Sequence, residues 1–172
     1  MKVNLLTFQA SKNYGAVLQA FATAYYLKNI KHLDVTILNY CPKYSRPKVT
    51  FRNKFNTLVM EIFRVPQRKA AKERFRRFEE FSNLYMHISE KVYNSIDDFK
   101  NLDCDIIISG SDQLWNPLLT GGNLDKVFFC DFDSNVTKER YSYASSIGQK
   151  SIRPQDEEQI RKYLRNFVEI SR

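Results

Sequence analysis

One stretch of this chain joins a short apolar run to side chains that could bind or activate a hydroxyl group. Ile106, Ile107 and Ile108 lead into a Gly-Ser-Asp turn, and two amides, the single tryptophan and a proline follow, ending at Pro117. A carboxylate such as Asp112 can orient or deprotonate a substrate hydroxyl. It can equally hydrogen-bond the backbone of its own turn, so both roles stay open.

The element that must position this turn is a strand at residues 105–108. Consecutive β-branched residues are typical of a strand that is buried on both faces of a parallel sheet. Parallel sheets bind ligands beyond the carboxyl ends of their strands, so polar groups that follow this strand would lie where ligands bind. The structural alternative is a tight turn in which Trp115 anchors the core.

A second polar turn follows a strand predicted for residues 2–8. Residues 9–20 read Gln-Ala-Ser-Lys-Asn-Tyr-Gly-Ala-Val-Leu-Gln-Ala, and apolar residues at helical spacing predict a helix that begins near Gly15. Free backbone N–H groups at such a helix start attract anions or sugar hydroxyls. The turn lacks the spaced glycines of a dinucleotide fingerprint, so it does not by itself predict a nucleotide site.

The rest of the chain alternates strands and helices. We predict further strands at residues 35–40, 126–132 and 140–144, a charged helix at 68–81, a short helix near Ser95 and a last helix from Pro154 to about Phe167. Proline suits the first turn of that last helix, and the acidic residues 156–158 complement its positive end. The alternation predicts an α/β, Rossmann-like fold, with a mostly parallel sheet and helices on both faces.

Composition favours one soluble domain. A hydrophobic content of 43%, with 13 Phe and 10 Tyr, argues against disorder. No run of about 18 or more apolar residues is present, so the sequence predicts no membrane span, and the N-terminus reads as a strand rather than a signal peptide. Cys41, Cys104 and Cys130 have no metal-ligand spacing, so we predict no metal site and reduced, buried thiols.

Positive charge is concentrated in a predicted helical insertion at about residues 42–82. The formal net charge is +8, and residues 42–80 hold twelve Lys or Arg against four acids. Six apolar residues there share one helical face: Phe51, Phe55, Leu58, Val59, Ile62 and Phe63. Such a helix could contact an anionic membrane surface, or its apolar face could pack on the sheet. No nucleic-acid-binding motif accompanies the charge, so we expect no dedicated nucleic-acid partner.

Three motifs resemble the polysaccharide pyruvyl transferase family. In that family a strand and a phenylalanine precede Asn-Tyr-Gly-Ala-Val-Leu-Gln-Ala, which is residues 13–20 here. Further along comes Gly-Ser-Asp-Gln-x-Trp-Asn-Pro, here residues 110–117, and then Ser-Tyr-Ala-x-Ser-x-Gly, here residues 142–148. The order and approximate spacing agree along essentially the whole chain.

The resemblance implies a transferase that moves a pyruvyl group from phosphoenolpyruvate to hydroxyls of a glycan, forming a ketal and releasing phosphate. Phosphoenolpyruvate would be the donor substrate, and no cofactor is expected. The acceptor would be a sugar of a bacterial exopolysaccharide, capsule or other cell-envelope polysaccharide, or its lipid-linked precursor. We therefore expect a cytoplasmic protein, with peripheral contact to the inner membrane face as one option.

Family members usually have two Rossmann-like domains that face each other across a cleft, as in glycosyltransferases of the B type. By resemblance, residues 1–172 are the N-terminal, acceptor-side domain. The C-terminal donor-binding domain would then be missing from this chain or supplied by a partner chain. Activity of the 172-residue chain alone is therefore an open question.

The resemblance also indicates which residues hold the acceptor, with Asp112 as the candidate catalytic group. The substrate-binding candidates lie in the three motifs: Asn13, Tyr14, Gly15 and Gln19; then Gly110, Ser111, Gln113, Trp115 and Asn116; and then Ser145, Ser146 and Gly148. The Trp115 ring could stack on the apolar face of a sugar or anchor the core.

Two rival functions remain. The first is a noncatalytic glycan-binding domain or remnant, which predicts affinity for the acceptor without turnover. The second is half of a nucleotide-sugar-dependent glycosyltransferase, which predicts nucleotide binding and indifference to phosphoenolpyruvate.

Overall fold

The fold is that of a computed structural model, which describes residues 1–11, 13–45, 57–132 and 139–171. Of residues 57–69 and residue 71 it describes the backbone alone. The apolar face predicted within the basic segment therefore lies outside the described side chains.

In the part of the chain that the structure describes, six parallel strands form one sheet. They are β1 (Lys2–Leu6), β2 (Asp34–Tyr40), β3 (Ile88–Tyr93), β4 (Ile106–Gly110), β5 (Glu139–Tyr143) and β6 (Glu169–Ser171). Their order is β3-β2-β1-β4-β5-β6, so the direction of winding reverses between β1 and β4. Ligands bind at such a switch point in doubly wound folds, and the prediction of an α/β, Rossmann-like fold is confirmed.

The connections between these strands contain three described α-helices. They are α1 (Tyr14–Tyr25), α2 (Thr57–Tyr85) and α3 (Pro154–Leu164). A π-helical turn, Tyr26–Ile30, extends α1, and 3₁₀ turns lie at Lys43–Ser45, Ile96–Phe99 and Lys126–Phe129. Because α2 joins β2 to β3, the described part of the predicted basic insertion is a crossover connection of the sheet itself.

The larger hydrophobic core lies between the sheet and α3. Leu6 and Ile107 from the strands pack there with aromatic side chains from the connecting segments, and with Ile160 and Tyr163 of α3. Each large apolar side chain that is fully buried contributes about 1.5–3 kcal/mol relative to an exposed one. This cluster, which also contains Trp115, fixes the backbone that follows β4.

A smaller core lies on the opposite face, where α1 and α2 cover β1 and β2. Leu5 and Ile37 of the strands pack there with Val17 of α1, since neighbouring strand residues point to opposite faces. Phe21 of α1 meets Phe81 of α2 edge-on, with ring centroids 5.3 Å apart. The described C-terminal part of α2 thus packs on the fold.

Two predictions of secondary structure are wrong. Residues 126–132 do not form a strand, because the Asp125 carboxylate accepts a hydrogen bond from the Val127 N–H at 2.9 Å and starts a 3₁₀ turn. Cys130 ends that turn in a left-handed conformation, with φ of 53°. The final helix is not the last element, since β6 follows it, and the three exposed residues of β6 have no apolar pattern.

The prediction of buried thiols holds for two of the three cysteines. Cys104 and Cys130 are buried, whereas Cys41 is partly exposed, and none of the three forms a disulfide. Burial raises the pKa of the Cys130 thiol, so this group stays protonated and packs as an apolar side chain.

Candidate functional site

A cleft opens at the carboxyl ends of β1, β2 and β4, beside the switch point of the sheet. Its volume is about 630 Å³, which is within the usual range for small-molecule sites. Apolar side chains such as Phe8 and Phe128 form part of its lining. The polar part of the lining includes Gln9, Ser11, Asn13, Tyr44, Asp112 and Gln113.

Asn13, the first residue of the first motif, lines this cleft. It is the N-cap of α1, and its Oδ1 accepts a hydrogen bond from the Gly15 N–H at 2.8 Å. Tyr14, Gly15 and Gln19 are exposed, and the Tyr14 ring lies against Phe78 of α2, with centroids 4.5 Å apart. Of the four candidates from the first motif, all of them described, Asn13 alone lines the cleft.

Gly110 ends β4 and Ser111 begins the turn that follows, and both are buried. Gly110 approaches β5 so closely that a Cβ there would lie 1.9 Å from the Tyr143 carbonyl oxygen. The Ser111 N–H donates to the same oxygen at 2.6 Å, and the Ser111 backbone is left-handed, with φ of 63°. Thr23 of α1 donates to Ser111 Oγ at 3.1 Å, so this hydroxyl is bonded within the fold.

Asp112 and Gln113 are the residues that this turn presents to the cleft. Asp112 Oδ1 accepts a hydrogen bond from the Gln113 N–H at 2.7 Å. No hydrogen bond from the described residues reaches Asp112 Oδ2. One carboxylate oxygen therefore holds the turn while the other remains available, so the two roles considered for Asp112 are compatible.

Trp115 lies in the core. Trp115 is 6% exposed. Its ring stacks on Phe129, with ring centroids 5.2 Å apart and an angle of 11° between the ring planes. The indole Nε1–H donates to the Phe128 carbonyl at 3.2 Å. The structure thus places Trp115 as the core anchor, the second of the two roles considered for it.

Asn116 and Gly148 lie against the end of the Gln113 side chain. Asn116 is 5% exposed, and its Nδ2 donates to Gln113 Oε1 at 2.9 Å. Gly148 has φ of 65°, and a Cβ there would lie 2.0 Å from Gln113 Oε1. These contacts fix the Gln113 side chain, although Asn116 and Gly148 themselves are absent from the described cleft lining.

Ser145 and Ser146 join the third motif to the second. Ser145 Oγ donates to the Ser109 carbonyl at 3.0 Å. The Ser146 N–H donates to the Asp112 carbonyl, and the Ser146 carbonyl accepts from the Trp115 N–H, both at 3.1 Å. The structure uses both residues to hold the turn after β4.

The structure brings together three residues that no sequence motif singles out: Tyr40, Tyr44 and Asp125. The Tyr40 hydroxyl donates to Asp125 Oδ2 at 2.8 Å, and the Tyr44 hydroxyl donates to the same oxygen. Burial raises the pKa of both phenols, and the Asp125 charge raises it further. The available signal was an aspartate placed to begin a helical turn, which does not predict tyrosine partners 81 and 85 positions away.

Among the described residues, no group of three or more His, Cys, Asp or Glu side chains is arranged to hold a metal ion. The described helices also include none with the length and apolar character that crossing a membrane requires.

The fold and the cleft define a doubly wound α/β protein with a cleft of small-molecule size at its switch point. The sequence model of the family described as polysaccharide pyruvyl transferase matches residues 13–171. The chain therefore belongs to the polysaccharide pyruvyl transferase family. Comparisons with curated proteins and with solved structures found no match.

Proposed function

We propose that the cleft holds the sugar acceptor in a reaction that transfers a pyruvyl group from phosphoenolpyruvate. The acceptor would be a cell-surface polysaccharide or its lipid-linked precursor, and a lipid-linked acceptor would place the reaction at the cytoplasmic face of the membrane. Membership of the family supports the class of reaction. The observation that carries the assignment of the cleft is its lining, which combines groups from two family motifs with apolar side chains.

This mixed lining matches the chemistry of a sugar ring, which has hydroxyl groups at its edge and an apolar C–H face. Asn13 and Gln113 each accept a hydrogen bond through the side-chain oxygen, which leaves their amide N–H groups as donors. Phe8 is partly exposed and supplies an apolar surface in the cleft; its ring packs edge to face on buried Phe128, with centroids 5.0 Å apart.

The proposed reaction needs a group that accepts a proton from the acceptor. Two acceptor hydroxyl oxygens form bonds to C2 of phosphoenolpyruvate, and the bond between C2 and the phosphate oxygen breaks. In net terms one of the two hydroxyl protons ends on C3, which becomes a methyl group, and the other leaves with inorganic phosphate. A general base must lie within hydrogen-bond reach of the hydroxyl, and Asp112 Oδ2 is the proposed base.

The donor is proposed to bind largely to groups outside this cleft. Phosphoenolpyruvate carries a carboxylate and a phosphate, which proteins hold best with Arg, Lys or backbone N–H groups. The described lining contains Asp112 but no Lys or Arg; Lys12, which lies between two lining residues in the sequence, is outside the described residues. A second domain, or a partner chain, would supply most of the positive charge.

The first test measures saccharide binding by NMR and phosphate release from phosphoenolpyruvate in the presence of the saccharides that bind. With the second domain or partner chain that binds the donor present, we expect acceptor-dependent phosphate release that falls about 10²–10⁴-fold in Asp112→Asn, because that is the usual contribution of a general base. Asp103→Asn is the matched control, since Asp103 is exposed at the opposite end of β4 and pairs with Lys2.

The same experiment separates the rival functions. Saccharide binding without phosphate release, also after a second domain or partner chain is added, would indicate a noncatalytic glycan-binding domain. Nucleotide binding combined with indifference to phosphoenolpyruvate would indicate a nucleotide-sugar-dependent transferase. Either result would contradict the proposed reaction.

A further inference from the structure

The cleft wall that follows β2 contains an arrangement that the proposed reaction does not use. Tyr44 lies in the 3₁₀ turn Lys43–Ser45 and lines the cleft. Its hydroxyl donates to Asp125 Oδ2, which also accepts from the Tyr40 hydroxyl. The other oxygen of Asp125 accepts from the Val127 N–H at 2.9 Å. One carboxylate therefore receives three hydrogen bonds and connects the wall after β2 to the wall before the Lys126–Phe129 turn.

Gly121 supports Tyr44 at the other end of its side chain. A Cβ at Gly121 would lie 2.9 Å from Tyr44 Cβ and 3.2 Å from its Cγ. Gly121 has φ of 77°, a conformation that glycine adopts at little cost. The Tyr44 side chain is thus held at its base by Gly121 and at its hydroxyl by Asp125. A side chain that is already ordered loses less entropy when a ligand binds.

The hydrogen bonds decide what the two phenols can offer to a ligand. Burial and the Asp125 charge raise the pKa of both phenols, so both remain protonated. Each phenol has one proton, and that proton is donated to Asp125. Tyr40 is buried and Tyr44 is partly exposed, so the Tyr44 oxygen is the one that can act toward a ligand as a hydrogen-bond acceptor, beside the Asp125 carboxylate. Such a wall suits a neutral group with hydroxyl donors and repels an anion.

We propose that Tyr44 is a specificity-determining residue that selects an uncharged sugar ring and disfavours acidic sugars such as uronic acids. In this arrangement Tyr44 contacts the acceptor, whereas Asp125 is a positioning residue that acts through Tyr44 and supplies the negative charge. The inference rests on the proposed function, because it assumes that the cleft holds a glycan.

The test compares matched neutral and acidic sugars. The probes are the methyl glycosides of glucose, galactose and mannose and the corresponding methyl uronates, and NMR titration at pH 7 gives their dissociation constants. We expect the wild-type chain to bind at least one neutral member more tightly than its uronate, by about tenfold, as one unfavourable charge contact implies. Tyr44→Phe should weaken the binding of that neutral sugar about 2–10-fold, because it removes one hydrogen-bond acceptor. Asp125→Asn should bring the two constants of the pair closer together, and the Asp112 carboxylate in the same cleft should keep part of the difference.

Two matched variants control for general effects of these substitutions. Tyr143→Phe removes a phenol hydroxyl from an exposed residue that is not in the described lining. Asp98→Asn changes a carboxylate that belongs to the capping box of the 3₁₀ turn Ile96–Phe99, whose N-cap is Ser95. Like Asp125 it accepts backbone N–H groups at the start of a turn, but it is outside the described lining. Both should leave the constants unchanged. If Asp125→Asn does not fold, Gly121→Ala, which displaces the Tyr44 ring, replaces it and should weaken neutral-sugar binding.

The outcomes separate this inference from the proposed function. Failure of the wild-type chain to bind either series would overturn the proposed function and this inference with it. Equal affinity for both series, or an unchanged neutral-to-acidic ratio in a folded Asp125→Asn, would overturn the selection by Tyr44 and Asp125 alone. A preference for neutral over acidic sugars that becomes smaller in Asp125→Asn but not in Asp98→Asn would support the selection by Tyr44 and Asp125.

Discussion

The first and second motifs, residues 13–20 and 110–117, are placed in the molecule in opposite ways. In the first motif the buried residues are small or apolar, and the polar ones are exposed. In the second motif even the polar residues Ser111 and Asn116 are buried, at 5% exposure each. The first motif thus presents side chains on a helix, whereas most of the second forms a turn that positions Asp112 and Gln113.

The difference follows from the elements that carry the two motifs. A helix that covers a sheet has one buried face and one exposed face, and α1 follows that rule. The second motif comes after β4, which has β1 and β5 as neighbours on its two sides, so its turn is enclosed by protein. The position of a motif in the sheet therefore decides which of its residues can reach a ligand. Three substitutions test this comparison.

Trp115→Ala should have the largest effect, because it removes a buried ring from the second motif. We expect the free energy of unfolding to fall by about 3–5 kcal/mol, the usual cost of replacing a buried aromatic residue with alanine. Urea denaturation followed by circular dichroism measures this. Trp115→Phe is the control, since it keeps a ring beside Phe129 but loses the Nε1 hydrogen bond. Wild-type stability combined with lost sugar binding would instead make Trp115 a ligand contact.

Asn13→Ala should have an intermediate effect, because it removes the N-cap of α1. We expect a loss of about 1 kcal/mol in the free energy of unfolding, whereas Asn13→Gly should cost only a few tenths. Both variants also remove an amide from the cleft, so both should weaken saccharide binding to a similar extent. If binding instead followed stability across the two variants, Asn13 would act through the helix and not through the ligand.

Gln19→Ala should have the smallest effect on stability. Gln19 is exposed on α1, and alanine favours helices more than glutamine does, so we expect a change within about 0.5 kcal/mol, as for ordinary surface positions. Saccharide binding to the chain should also be unchanged, since Gln19 is not in the described lining. A large loss of binding would show that the ligand extends beyond the cleft along α1.

The local features of the fold could be predicted from the sequence because they depend on neighbouring residues. The isoleucines of β4, the apolar spacing of α1 and Pro154 at the start of α3 each give a local pattern, and the structure has these elements close to the predicted positions. The buried run Val127 to Phe129 is equally compatible with a strand and a turn. The hydrogen bond of Asp125 decides between the two structures, and its effect is not visible in the apolar pattern.

The candidate site could be predicted only where its residues belong to a motif. Asn13, Asp112 and Gln113 could be found in this way, and the structure places all three in the cleft lining. Tyr44 could not be found, because its role depends on Asp125, 81 positions away. Nor could the sequence show that Trp115 would be enclosed, since that depends on packing against Phe129.

The close approach of Gly148 to Gln113 has a consequence for how this protein can evolve. A side chain at position 148 would have to adopt a left-handed backbone, with φ of 65°, and its Cβ would meet Gln113 Oε1 at 2.0 Å, so the Gln113 side chain would have to leave its hydrogen bond with Asn116. Its displacement would change the shape of the cleft, although residue 148 does not line it. Position 148 is therefore a place where one inherited change could alter which acceptors fit, and positions 113 and 148 should covary among descendants of a common ancestor.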